Sequence, residues 1–178
     1  MKVRFHLKKR IRIAGAMALF FLASGVLHDV TVGWAAGEAA LQKAPSFKLS
    51  SPKGEPLSLE DFSGKVIYLD FWGSWCPPCI EETPHLVSLY KTYQEKGFVV
   101  VGVSLGDSKK SLLRFMEKMQ VTYPVVLGDD KIIQDYQGVM FLPTAFVIDR
   151  KGFIRRKLFG YREKEEIERI ILPLLEEK

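Results

Sequence analysis

The sequence predicts an α/β fold: one central mixed β-sheet flanked by helices, with an N-terminal β-hairpin ahead of it. Three observations carry this. The runs Val66–Phe71 and Phe98–Leu105 are largely apolar, as expected of central strands covered on both faces. A helical segment follows each, and two more strand-like runs and a last amphipathic segment close the chain, an order that lays helices over a sheet. Hydrophobic residues make up 47% of the 178 residues, enough for one domain with a substantial core.

The elements follow in order. Ser46–Ser50 and Pro56–Leu59 flank Pro52-Lys53-Gly54-Glu55, a Gly-containing turn, and read as a small hairpin. Leu59–Phe62 reads as a helical turn. Lys65–Phe71 is the first strong strand. Cys76–Lys96 reads as a helix, with a kink expected at Pro84 and a C′ glycine at Gly97. Phe98–Leu105 is the central strand. Asp107 or Ser108 can cap the next helix, whose apolar residues are Leu112, Leu113, Phe115, Met116 and Met119. Pro124–Leu127 is a short strand and Lys131–Tyr136 a short helix. Thr144–Asp149 and Ile154–Phe159 pair through Arg150-Lys151-Gly152. The last helix puts Ile167, Ile170, Ile171, Leu174 and Leu175 on one face.

The net charge of +5 belongs to the N-terminus. Residues 1–35 hold six of the 26 basic residues (Lys2, Arg4, Lys8, Lys9, Arg10, Arg12) and one of the 21 acids, Asp29. The rest of the chain is therefore neutral, with no basic stripe to serve a nucleic acid. A basic start followed by an apolar stretch from Ile13 to Leu27 is the layout of an export signal. Residues 1–35 are thus read as a signal peptide or membrane anchor, 36–44 as a linker and 45–178 as the folded domain. Small residues suit cleavage after Ala35 or Ala39. An apolar stretch extended back to Ile11 suits an anchor instead. Either way the basic flank keeps the N-terminus cytoplasmic and the domain extracytoplasmic.

The only two cysteines lie in Trp75-Cys76-Pro77-Pro78-Cys79, between a strand and a helix. Two thiols this close can exchange two electrons reversibly, and one at a helix N-terminus is favoured as the thiolate. Other readings of the pair are weaker. Zinc needs about four ligands, and only His85 is near in sequence. Haem attachment needs a His where Ile80 stands. A structural disulfide at this spacing staples nothing distant. No metal and no cofactor is expected.

From about Pro45 to Leu175 the chain resembles the thioredoxin superfamily, in particular exported thiol–disulfide oxidoreductases of the TlpA/ResA type, which include cytochrome c maturation proteins. The resemblance rests on Leu69-Asp70-Phe71-Trp72-Gly73-Ser74-Trp75-Cys76-Pro77-Pro78-Cys79 and Glu82-Thr83-Pro84. It rests equally on the Val-rich strand, Leu142-Pro143-Thr144 and Phe146-Val147-Ile148-Asp149-Arg150-Lys151-Gly152.

The resemblance implies a thioredoxin-like fold and a role for each site residue. Cys76 would be the nucleophile, left partly exposed by Trp75, and Cys79 the resolving thiol. Pro77 and Pro78 stiffen the loop and remove N–H donors from it. Pro143 would be a cis-proline beside the dithiol, shaping with Leu142 a groove where a substrate strand can pair. Trp75, Pro77, Pro78, Leu142 and Pro143 are the expected substrate contacts. Asp70 matches the acid that moves protons to and from the inner cysteine of thioredoxins, although many TlpA/ResA-type proteins carry Asn and the lysine that accompanies the acid is missing from Phe98–Leu105. A strand-end Asp turned to solvent is the alternative. Glu82 matches an active-site glutamate; a solvated helix-face acid beside Glu81 is its alternative. Trp72 would pack near the site or serve the core alone.

The implied activity is exchange with protein cysteines, as a reductant of partners such as apocytochrome c, with electrons from a membrane thiol carrier. An oxidase of folding proteins runs the same chemistry backwards. A peroxidase of the peroxiredoxin type would place Thr where Gly73 stands. A non-catalytic binding or metal-chaperone module would function without either cysteine.

Overall fold

The structure, a computed structural model, describes residues 41–137 and 139–177. The export signal or anchor expected over 1–35, and most of the linker, lie outside them. Among the described residues no helix is long and apolar enough to cross a membrane.

Two short strands, β1 (Lys48–Ser50) and β2 (Pro56–Ser58), form the N-terminal hairpin. A 3-10 turn over Leu59–Phe62 leads to β3 (Val66–Trp72). Then come α1 (Pro77–Tyr93), a 3-10 turn at Gln94–Lys96, β4 (Phe98–Ser104) and α2 (Lys109–Lys118). After them follow β5 (Val125–Leu127), α3 (Asp130–Asp135), β6 (Thr144–Ile148), β7 (Ile154–Phe159) and α4 (Lys164–Glu176). The main sheet has the order β5-β4-β3-β6-β7. β3, β4 and β5 are parallel, β6 runs antiparallel to β3, and β7 runs antiparallel to β6. This is the thioredoxin-like mixed sheet.

β3 and β4 are buried along their whole length. Because side chains alternate across a strand, β3 divides its residues between two cores. Tyr68 and Trp72 join the side that holds Cys76, Cys79, Leu86 and Ile171, and thus α1 and α4. Ile67, Leu69 and Phe71 join the other, with Phe47, Ile132 and Phe146. Asp70 shares the parity of Tyr68 and Trp72, so it faces the dithiol side.

The ends of the elements have local causes. α1 gives way to a 3-10 turn at Gln94 and terminates on Gly97, at φ 85°, where a side chain would be strained. Ser108, not Asp107, caps α2 by accepting from the Ser111 N–H. Asp129 caps α3 by accepting from the Ile132 N–H at 2.9 Å. In the β6–β7 turn the Asp149 carboxylate accepts from the N–H groups of Lys151 and Phe153. Upstream of the hairpin, the Ala44 N–H donates to Gly152 O, and Gln42 O accepts from the Ile154 N–H.

Candidate active site

The site stands where β3 leaves the sheet and α1 begins. Cys76 is the N-cap of α1, and Pro77 and Pro78 occupy its first two positions. Proline is tolerated there because the first N–H groups of a helix have no partner inside it. Cys76 and Cys79 form a disulfide with their Cα atoms 5.3 Å apart. The expected partial exposure of Cys76 is not found: the residue is 4% exposed and Cys79 3%. The bond to Cys79, one turn inside the helix, holds Cys76 against the cluster formed with Trp72 and Leu86.

Trp75 turns outward instead, 60% exposed, and its indole N–H donates to Leu105 O at 2.9 Å. Gly73 makes room for that ring. A Cβ there would lie 2.7 Å from Trp75 Nε1, closer than atoms tolerate. Asp107, which sequence reading considered only as a cap, fixes the loop. It accepts from the Ser74 N–H at 2.9 Å, from the Ser74 hydroxyl, and from the Ser104 hydroxyl at 2.7 Å. A loop acid spaced more than 30 residues from its partner leaves no local signal.

The second wall is the start of β6. The Leu142–Pro143 bond is cis. Thr144 pairs with Phe71 at the end of β3, and Leu142 packs against the cluster that includes both cysteines. Met140 and Phe141, 80% and 65% exposed, add to Trp75 as surface apolar groups. Neither carried a sequence signal, because exposed apolar residues are common on folded proteins.

Two acids are buried close to one another, Asp70 on β3 and Glu82 on α1, three residues past Cys79. Asp70 is 3% exposed and Glu82 1%, so neither sits in solvent. Asp70 is held well above the carboxylate range, first by burial and then by the charge of Glu82. Glu82 is pushed up to about 7 by burial, opposed by the Arg162 N–H and by the charge and the Tyr68 phenol nearby. The Arg162 N–H donates to Glu82 Oε1 at 2.9 Å. A sequence cannot show that bond, since the two residues are far apart along the chain.

Between the ordinary carboxylate range and pH 7 the folded chain therefore holds a Glu82 proton that the unfolded chain releases. Stability falls as pH rises through that window. Glu82→Gln keeps the acceptor for Arg162 and removes the ionisation. It is expected to raise stability at pH 8 by roughly 1–3 kcal/mol and to leave it unchanged near pH 4. Urea unfolding of the oxidised protein at both pH values measures this. Equal stability of the two proteins at pH 8 would overturn it.

A thioredoxin-like fold with a CxxC disulfide at a helix N-terminus, a cis-proline at the start of β6 and two buried acids defines the class: a dithiol oxidoreductase. The chain belongs to the AhpC/TSA family, whose model matches residues 40–157. It is 39% identical over 127 residues to the thiol-disulfide oxidoreductase ResA of Geobacillus kaustophilus, covering 71% of this chain and 72% of that one. Among solved structures it is similar to a thioredoxin-family thiol:disulfide interchange protein of Chlorobium tepidum, with TM-score 0.73 and 31% identity over 78% of this chain and 99% of that one. A secreted thiol-disulfide isomerase of Corynebacterium glutamicum matches with TM-score 0.74 and 26% identity, over 79% and 89% of the two chains. The protein is a thiol–disulfide oxidoreductase whose substrates are protein thiols and disulfides.

Proposed function

We propose that the protein works outside the cytoplasmic membrane as a reductant of protein disulfides, with apocytochrome c as a client and a membrane thiol carrier as its electron donor. The Cys76 thiolate attacks a client disulfide, forms a mixed disulfide and releases one client thiol. Cys79 gives up its proton, attacks the Cys76 sulfur and releases the second client thiol. Two electrons pass to the client, and the Cys76–Cys79 disulfide re-forms. Asp70 takes the Cys79 proton in this reading. Glu82 tunes Asp70 through its charge, and Trp75, Pro77, Pro78, Leu142 and Pro143 contact the client chain.

The observation that carries the direction is the start of α1. Strong oxidants of this kind owe their potential to a stabilised reduced form. Here Pro77 and Pro78 remove two N–H groups that would stabilise a Cys76 thiolate, and two acids are buried on the same side of the sheet. The reduced form is thus less favoured and the dithiol a better electron donor. The apolar stretch after a basic start, outside the described residues, and the secreted relative support the compartment.

Equilibrium titration against glutathione or dithiothreitol tests the direction. A potential below about −200 mV is expected, and one near the ~−120 mV of a strong oxidant would overturn the reading.

A further inference from the structure

Among the described residues, two buried polar atoms on the dithiol side of the sheet stand without hydrogen-bond partners: Asp70 Oδ1 and Trp72 Nε1. One is an acceptor and the other an obligate donor. They belong to residues two apart on β3, so their side chains leave the same face. Trp72 is 1% exposed and Asp70 3%. Native proteins rarely leave such groups unpaired, and each orphan needs a physical account.

We propose that Trp72 is a positioning residue for Asp70, its indole N–H donating to the Asp70 carboxyl through one bridging water.

The register makes the bridge geometrically sound. Asp70 pairs with Gly102 on β4 and with Ala145 on β6, so small residues flank the acid on both sides. A Cβ at Gly102 would lie 2.7 Å from Trp72 Nε1. The indole N–H therefore lies over the position directly across from Asp70, about one strand spacing of ~4.8 Å away. The two atoms share no direct hydrogen bond, and one water making two hydrogen bonds can join a buried donor to a buried acceptor. Any larger side chain at 102 would displace the indole, which lies there with the Tyr123 ring and Val125 Cγ2, each 3.3 Å from that Cβ position. Phe115 packs against the Trp72 ring in a tilted arrangement, 5.1 Å between centroids.

The titratable groups that act on Asp70 are Tyr68 on its own strand, Glu82 on α1 and Tyr123 before β5, and the cysteines lie in the core on the same side of the sheet. Arg162 reaches the set through Glu82. None of these supplies Asp70 Oδ1 with a donor, so the indole N–H is the group that stabilises its charged form. Its role is to keep the proton affinity of Asp70 within range of the Cys79 thiol.

The inference deepens the reading of Asp70 as the acid serving Cys79, and the two are separable by experiment. Carboxyl 13C NMR follows the ionisation of Asp70 directly, with no turnover involved. Trp72→Phe keeps the ring and removes the N–H. It is expected to raise the Asp70 midpoint by about one pH unit, and the pH profile of Cys79 alkylation in the reduced protein is expected to move with it. In an Asp70→Asn background the same substitution is expected to leave the alkylation profile in place. An unchanged Asp70 midpoint overturns the inference, as does an equal shift of the profile without Asp70. A moved midpoint with an unmoved alkylation profile overturns the relay reading alone. Should Trp72→Phe fail to fold, the unmodified protein still decides. Its indole 15N–1H resonance is expected to shift with the Asp70 titration and to lose that shift in Asp70→Asn, whereas a resonance indifferent to pH overturns the bridge.

Discussion

Cys76→Ser is expected to reduce thiol–disulfide exchange to the uncatalysed background, while Cys79→Ser traps covalent complexes with client proteins. The asymmetry follows from position. Cys76 caps α1, where the helix end favours a thiolate, and Cys79 lies one turn further in. A hydroxyl at 76 cannot serve as nucleophile at neutral pH, so no mixed disulfide forms. A hydroxyl at 79 leaves the first attack intact and removes the second. Reduction of an insulin-type disulfide substrate measures the first variant, and non-reducing gels of the second show the adduct. Stability should change little beside this, because the loop closed by the disulfide is very short and its entropic contribution is about 2 kcal/mol. Full function in both variants would return the protein to a non-catalytic binding module. Adducts in Cys76→Ser, rather than Cys79→Ser, would reverse the assigned roles.

The layout of the fold was legible because its signals are local. A run such as Phe98–Ser104 can be buried on both faces only inside a covered sheet. The dithiol was equally legible, since its spacing and its place after a strand sit within a few residues. What escaped is what folding brings together. Asp107 looked like a cap and instead ties Ser74 to β4. The acceptor role of Glu82 toward Arg162 needed the approach of the segment before α4 to α1. Gly102 carries no signal of its own within the Val-rich strand. Its meaning appears only in the pairing register, where it lies across from Asp70 and under the Trp72 indole. The burial of Cys76 depends likewise on what folding brings to it: the bond to Cys79 holds it against a cluster that includes Trp72 and Leu86.

Asp70→Asn has the second large expected effect, on the resolving step. Cys79 is buried, and burial in apolar surroundings raises a thiol's pKa and leaves less thiolate to attack. A base within the site is then worth roughly 10²–10⁴ in rate. Asp70 is suited to the task because burial and the charge of Glu82 hold its proton affinity well above that of an ordinary carboxylate, closer to that of a thiol. Asparagine keeps the shape and removes the base. Resolution of a pre-formed mixed disulfide at Cys76 should slow about 10²-fold near pH 7. The deficit should narrow as pH rises, because Cys79 then ionises without help. Glu82→Gln should act in the opposite sense on the acid, removing a neighbouring negative charge, lowering the Asp70 midpoint and moving the profile to lower pH. Rapid-quench measurements from pH 6 to 10 separate these outcomes. Stability provides the control: with a buried ionisable group gone, Asp70→Asn should be more stable than the parent above pH 7. A variant that gains stability while resolving at the parental rate at every pH would show Asp70 to be a buried acid with no part in the reaction. A rate loss that is the same at every pH would mark a packing defect, since only the loss of a base is relieved by alkali.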